Sequence, residues 1–341
     1  MTALRAGLIV LAVGASACGQ FTPGCERAAV EQLSYPTFAA TQPTTGDLVV
    51  LSANARETYC APYLTVYSSD SAGLWQAQRQ IDIESVQAGE PSLPVAAQFA
   101  ADGSLWIAER RGQRVIKLAP SLAAIEHIIH VGIEPSALVI DDTWDRMFVA
   151  DATASTMVIV TGLAHGSDVV QVSTEVAAES VIKSMTLAGN YLLLGYSGGT
   201  LVSRLSRSSL SWDLPISPFE GATLFDPDQM LLEPQSGDVI AALASQQRVV
   251  RLYASEQYLS VTHSPRLGLP RRVSFIPGTG HFVVHDDRHG DWVLDANLSI
   301  LERIAASPAE TLAFWLPITE AATGSVGGLG GSILDTELQT W

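Results

Sequence analysis

Short apolar runs, separated by polar turns that often carry glycine, recur from about residue 95 to residue 305 of the 341-residue chain. Ser104-Leu-Trp-Ile-Ala-Glu-Arg-Arg-Gly-Gln-Arg-Val-Ile-Lys-Leu118 and Arg146-Met-Phe-Val-Ala-Asp-Ala-Thr-Ala-Ser-Thr-Met-Val-Ile-Val160 share one layout: a strand, a polar turn and a second strand. The layout returns at His281 to Asp295 and, more loosely, at Asn190 to Leu205 and Asp238 to Leu252. Glu109, Asp151, Tyr196, Leu243 and Asp286 enter these five turns at intervals of 42, 45, 47 and 43 residues. A further apolar segment precedes each hairpin, such as Val95 to Phe99, Ala137 to Ile140 and Val273 to Ile276. A fourth follows, such as Ala124 to Val131 or Ser299 to Ile304. Asp102-Gly103, Gly189-Asn190, Ser236-Gly237 and Gly278-Thr279-Gly280 supply hairpin turns between them. No long amphipathic helix interrupts the pattern.

Four strands at a period of about 40 to 50 residues is the signature of a propeller blade, so an all-β β-propeller is expected. Residues 35 to 84 read as a divergent first blade, with strands around Asp47 to Leu51, Tyr63 to Tyr67 and Trp75 to Ile83. Thr311 to Leu316 and Ser332 to Leu338 suggest a last, irregular blade, interrupted by the glycine-rich stretch from Gly324 to Gly331, where a strand is disfavoured. The pattern favours seven four-stranded blades, with six as the alternative. Ring closure would draw on a strand from about Glu26 to Leu33.

Pro135-Ser-Ala-Leu-Val-Ile-Asp-Asp, followed by Met147-Phe-Val-Ala-Asp151 and Met157-Val-Ile-Val160, resembles the YVTN-type propeller repeat. Val95 to Leu118 resembles its NHL-type relative. The resemblance covers roughly residues 90 to 305 and implies a fold, since such repeats host unrelated functions.

Composition adds the means to fold and a constraint on partners. With 47% hydrophobic and 16% charged residues the chain can bury a core. Its net charge of -16 speaks against nucleic acid as a partner, because phosphate backbones recruit Lys and Arg. The N-terminus sets an address. An apolar run from Ala6 to Ala17 follows Met-Thr-Ala-Leu-Arg, in the layout of a secretory signal peptide, and is shorter than the roughly 20 residues a membrane span needs. Gly14-Ala15-Ser16-Ala17-Cys18 resembles the bacterial lipobox, which implies acylation of Cys18; Ala15 departs from the usual Leu. Gly19, in place of the Asp that signals inner-membrane retention, points to the outer membrane. The expected organisation is a signal peptide over residues 1–17, a tether over 18–33 and a propeller over 34–341. Cys25 and Cys60 remain, and an exported protein normally leaves such a pair oxidised to a disulfide.

Candidate chemistry is sparse. Gly195-Tyr-Ser-Gly-Gly199 matches the Gly-x-Ser-x-Gly elbow, but that motif needs a strand running into a helix. Here it falls on a hairpin turn, so a plain β-turn is expected. His281, His285 and His289 would share a face on a helix; on a strand the first two lie about 13 Å apart, too far for one metal with bonds of about 2 Å. Asp141 to Asp145 and Asp286 to Asp291 offer acidic loops without EF-hand spacing, and turn chemistry accounts for them. No metal and no cofactor is therefore assigned. The starts of the innermost strands, which line a propeller's channel, offer Glu134, Lys183, Asp228, Arg271 and Glu310 as candidate ligand contacts.

These features together suggest a cell-envelope lipoprotein whose propeller binds or scaffolds an envelope protein, a glycan or a small ligand. The competing expectation is a metal-dependent hydrolase or lactonase with its site in the channel. Carboxylates and amides converging there would favour the enzyme. A mixed, ion-paired set would favour the binding module.

Overall fold

The computed structural model describes residues 36–52, 62–69, 75–83, 93–163, 168–173, 180–219, 224–233, 235–258, 261–276, 280–286 and 288–304. These residues form six antiparallel four-stranded sheets, each built from four consecutive strands. Two compact units divide the chain; the described residues of the first end at Gly132, and the second begins at Ile133.

In the first unit, one sheet comprises β1 (Pro36–Thr41), β2 (Leu48–Ser52), β3 (Tyr63–Ser69) and β4 (Trp75–Asp82). The next comprises β5 (Pro94–Phe99), β6 (Leu105–Glu109), β7 (Arg114–Leu118) and β8 (Ile125–His130). Alternate residues point to one face of a strand, so Val49, Leu51, Leu64 and Val66 meet Leu105, Ile107, Ile116 and Leu118 in a single apolar layer between the sheets. Gln42, in the β1–β2 turn, ties the two sheets together by donating to the carbonyls of Gly103 (3.2 Å) and Pro120.

The second unit holds four sheets. They are β9 (Pro135–Asp141), β10 (Arg146–Asp151), β11 (Thr156–Thr161) and β12 (Asp168–Ser173); then β13 (Ile182–Ala188), β14 (Tyr191–Tyr196), β15 (Val202–Ser206) and β16 (Trp212–Ile216). β17 (Gln229–Leu232), β18 (Val239–Leu243), β19 (Arg248–Leu252) and β20 (Val261–His263) follow, and β21 (Pro270–Ile276), β22 (His281–Asp286), β23 (Gly290–Leu294) and β24 (Ile300–Ile304) form the last sheet. The first strands of successive sheets contact one another, β9 with β13, β13 with β17 and β17 with β21. Each gap is filled from both sides: Phe148 and Ile159 against Leu192 and Leu194, Leu193 and Val202 against Val239 and Val250, Ile240 and Val249 against Phe282 and Val284. Burying each such aliphatic or aromatic side chain contributes about 1.5–3 kcal/mol, so the layers between sheets are where the unit's stability resides.

All five hairpins expected from the repeat are present, and the divergent first blade forms with a fourth strand, β1, ahead of the three anticipated. The favoured count of seven is corrected to six among the described residues. Every sheet takes its four strands from its own repeat, the last included, because Ile300–Ile304 completes it as β24 without a borrowed strand. The segments assigned to a seventh blade and to the closing strand lie outside the described residues, as do Cys18, Cys25, Cys60 and Glu310.

Candidate functional site

The first strands share a device that sets the site. β1, β5, β9 and β21 begin with proline, which has no N–H to give to a ladder and is therefore tolerated at a strand's first position. The residue after each is skipped in the pairing with the second strand, a β-bulge that leaves Thr37, Val95, Ser136 and Arg271 as the extra residues. Ile182 opens β13 in the same way and leaves Lys183 extra. Asp228 continues the series, following Pro227 as Arg271 follows Pro270. A bulge re-aims its extra side chain out of the sheet's alternation.

In the second unit these re-aimed side chains meet. Lys183 Nζ donates to Asp226 Oδ1 at 2.9 Å and lies 3.1 Å from Asp228 Oδ1. Arg271 Nη1 donates to the same Asp228 oxygen at 2.8 Å. The other Asp228 oxygen accepts the Ala244 N–H at 3.1 Å, so the carboxylate is fixed by the start of the β18–β19 turn as well as by two cations. Ser136, one sheet earlier, reaches the Ile182 carbonyl at 3.3 Å. The result is a polar line across four successive first strands. It is graded in exposure, from Asp228 at 9% through Lys183 at 29% to Arg271 at 46%, so the cations face solvent more than the acids do. Pairs this exposed contribute about 0–1 kcal/mol each to folding, which makes stability a weak reason for assembling them.

Of the candidate channel residues, Lys183, Asp228 and Arg271 are thus brought together. Glu134 is not. It precedes β9, and the fold uses its backbone carbonyl, which accepts the Ala152 N–H at 2.7 Å. Asp226 was missed, although Asp226-Pro-Asp228 places two acids around the proline that starts a blade. Both acids are already held by cations, so a divalent ion entering here has to displace Lys183. Among the described residues no three His, Cys, Asp or Glu side chains gather as a metal site.

The other candidates resolve into structure. Gly195 ends in a buried strand and Ser197 in an exposed turn leading to β15, so the Gly-x-Ser-x-Gly run has no helix behind it. Its glycine is required by packing, since a Cβ there would overlap the Pro227 ring. His281 and His285 lie on β22 and His289 in the following turn. Asp286 is fully buried and accepts the N–H groups of Gly268, Leu269 (2.7 Å), Arg288 (2.9 Å) and His289 (3.0 Å), and Trp292 Nε1 at 3.1 Å. Burial pushes its carboxyl up, but these donors outweigh burial and hold it below the ordinary aspartate range. A carboxylate that serves five donors organises a turn; it is not presented to calcium.

A recurring cation escaped the sequence reading. Lys117, Arg204 and Arg251 occupy one register position on the third strands β7, β15 and β19, each just before a buried leucine. Each lies over an aromatic ring, of Trp106, Tyr191 and Tyr253 respectively, and each is 12% exposed or less. Their acids come from neighbouring turns and strands: Glu126 for Lys117 (3.1 Å), Asp213 for Arg204 (3.6 Å) and Asp238 for Arg251 (2.7 Å). The lysine or arginine one place before leucine was the available signal.

No protein-family model matches the chain, and no curated protein matches it by sequence. Solved structures do match. A "putative 6-phosphogluconolactonase" from Bacteroides uniformis aligns over 80% of this chain and 85% of its own, at 12% identity and a TM-score of 0.62. The propeller domain of Cps50 (Swd1) from Myceliophteria thermophila aligns over 81% and 87%, at 9% identity and a TM-score of 0.61. The fold is a β-propeller. BBS1N, solved in complex with ARL6DN, is a further match, at 15% identity and a TM-score of 0.54 over 75% of this chain and 76% of its own. At these identities the likeness is one of fold, and the six sheets are its blades.

Proposed function

We propose that this propeller is a binding or scaffold module of the bacterial cell envelope, engaging an envelope protein, a glycan or a small ligand through the bulge residues of its second unit. The observation that supports it is the mixed, ion-paired set of Lys183, Asp226, Asp228 and Arg271, which offers exposed donors beside fixed acceptors. A ligand's polar groups can exchange with such partners at little net cost, because the surface pairs they replace are individually weak. The reading includes blades of the YVTN/NHL type, a signal peptide over residues 1–17, an acylated Cys18 that holds the tether to the outer membrane, and a Cys25–Cys60 disulfide.

A metal-dependent lactonase is the second reading, prompted by the similar structure from Bacteroides uniformis. The two readings separate on protein purified from native membranes without chelator. Elemental mass spectrometry is expected to find no stoichiometric divalent metal, and stability is expected to be unchanged by chelator. In-cell crosslinking should yield a discrete partner or ligand adduct that the Lys183→Glu, Arg271→Glu double variant loses. A stoichiometric metal, with hydrolytic activity abolished by chelation, would overturn the binding reading. Cys18→Ser should move the protein from the membrane to the soluble fraction, and retention in the membrane would remove the lipid anchor from the proposal.

A further inference from the structure

A different part of the second unit has no role in the reading above. The β9–β10 connection, Asp142–Trp144, is a single 3₁₀ turn closed by Asp145 in the left-handed region at φ 48°. It carries Trp144 at 48% exposure, an unusual position for the largest side chain. The Arg146 guanidinium lies 5.5 Å from the ring centroid, a cation–π contact that backs the ring while about half of the side chain stays in solvent. Arg146 in turn is anchored on buried Asp141 at 3.4 Å.

The turn is also tied to the next blade. Arg207, in the β15–β16 turn, grips both oxygens of Asp141, with Nη2 at 2.6 Å from one and Nε at 3.0 Å from the other. It also donates to the Gly189 carbonyl at 2.7 Å and reaches the Thr143 hydroxyl at 3.4 Å. Three turns from two blades are thereby locked together, and one of them carries Trp144. Their exposed residues are mostly polar, Asp142, Thr143, Asn190, Ser208 and Ser209 among them, with Leu210 at 36% exposure the apolar exception.

We infer that this surface is a saccharide-binding site, with Trp144 as the platform for a pyranose ring. A sugar presents an apolar C–H face and a rim of hydroxyls. It therefore fits one fixed aromatic plane surrounded by short donors and acceptors. A protein partner would instead favour a contiguous apolar centre at the contact, whereas the exposed residues of these turns, Trp144 and Leu210 apart, are mostly polar. Pre-locking of the three turns by Arg207 removes the ordering cost that a mobile loop would add to binding. This site is separate from the bulge residues, and the two proposals fail separately.

The test is affinity electrophoresis of the full chain in native gels containing laminarin, hydroxyethylcellulose or dextran, with cosedimentation on purified peptidoglycan. At least one of the four should retard or sediment the wild type. Trp144→Ala should weaken that binding at least tenfold, Trp144→Phe should retain most of it, and Val170→Ala, on β12, should leave it unchanged. Melting curves of the variants keep folding apart from binding, since an exposed ring can be removed with little change in stability. Wild-type protein that binds none of the four, or Trp144→Ala that binds like wild type, would overturn the proposal. So would a crosslinked protein at this surface whose capture needs Trp144 while no saccharide binds.

Discussion

Asp141 is the residue whose loss should cost the second unit most. It is the last residue of β9, is fully buried, and holds Arg207 through two hydrogen bonds and Arg146 through a third. Asp141→Asn keeps the volume but removes the charge, and it turns one acceptor into a donor that faces guanidinium donors. Removing one partner of a buried pair costs about 3–5 kcal/mol. Arg207 is 19% exposed and can regain some hydration, which places the expectation near the lower end, about 3 kcal/mol. That corresponds to a fall of roughly 10 °C in the melting temperature of a domain this size. Urea and thermal unfolding of Asp141→Asn, Arg207→Met and the double variant would form a cycle, with an expected coupling of about 2 kcal/mol. The effect also has a pH signature. Burial pushes the Asp141 carboxyl up, but Arg207 and Arg146 outweigh it and hold the group below its usual range. A depressed folded-state pKa contributes stability that is fully present above the unfolded value of about 3.9 and lost as pH falls through the folded value. The gap between wild type and Asp141→Asn should therefore close on acidification below about pH 4. A cost under about 1 kcal/mol with no coupling to Arg207 would refute the reasoning.

Asp286→Asn should behave similarly in acid, since Asp286 is held down by its N–H donors, and should cost about 2–3 kcal/mol at neutral pH by turning an amide group towards backbone donors; hydrogen exchange at Leu269 and Arg288 reads the loss directly. Arg251→Met leaves Asp238 and Glu233 without their shared cation, and chemical denaturation should show a loss of about 3 kcal/mol. Gly195→Ala should destabilise by about 1–3 kcal/mol through overlap with Pro227, whereas Ser197→Ala in the exposed turn should stay within about 0.5 kcal/mol. An ester-hydrolase assay that Ser197→Ala silences would reverse the β-turn reading of that motif.

The individual blades were legible along the chain. Alternation within a strand and a period of 42 to 47 residues are local signals, and each hairpin needs only its own residues to form, so Arg146 to Val160 or His281 to Asp295 could be placed without knowing what they pack against. Lys183, Asp228 and Arg271 could likewise be placed at the starts of first strands, because a blade's first strand recurs at a predictable position. What the sequence could not give was partnership between repeats. Asp226 joins Lys183 from 43 positions away and Arg207 reaches Asp141 across 66, contacts that exist only once neighbouring blades stack. Asp141 and Asp286 read as ordinary turn acids; burial makes them internal acceptors, since a buried carboxylate must be satisfied by donors the sequence keeps in other turns. The blade count was settled the same way. Composition can suggest another strand, but only hydrogen-bonded pairing decides which four strands make a sheet, and that pairing gives each described blade four of its own.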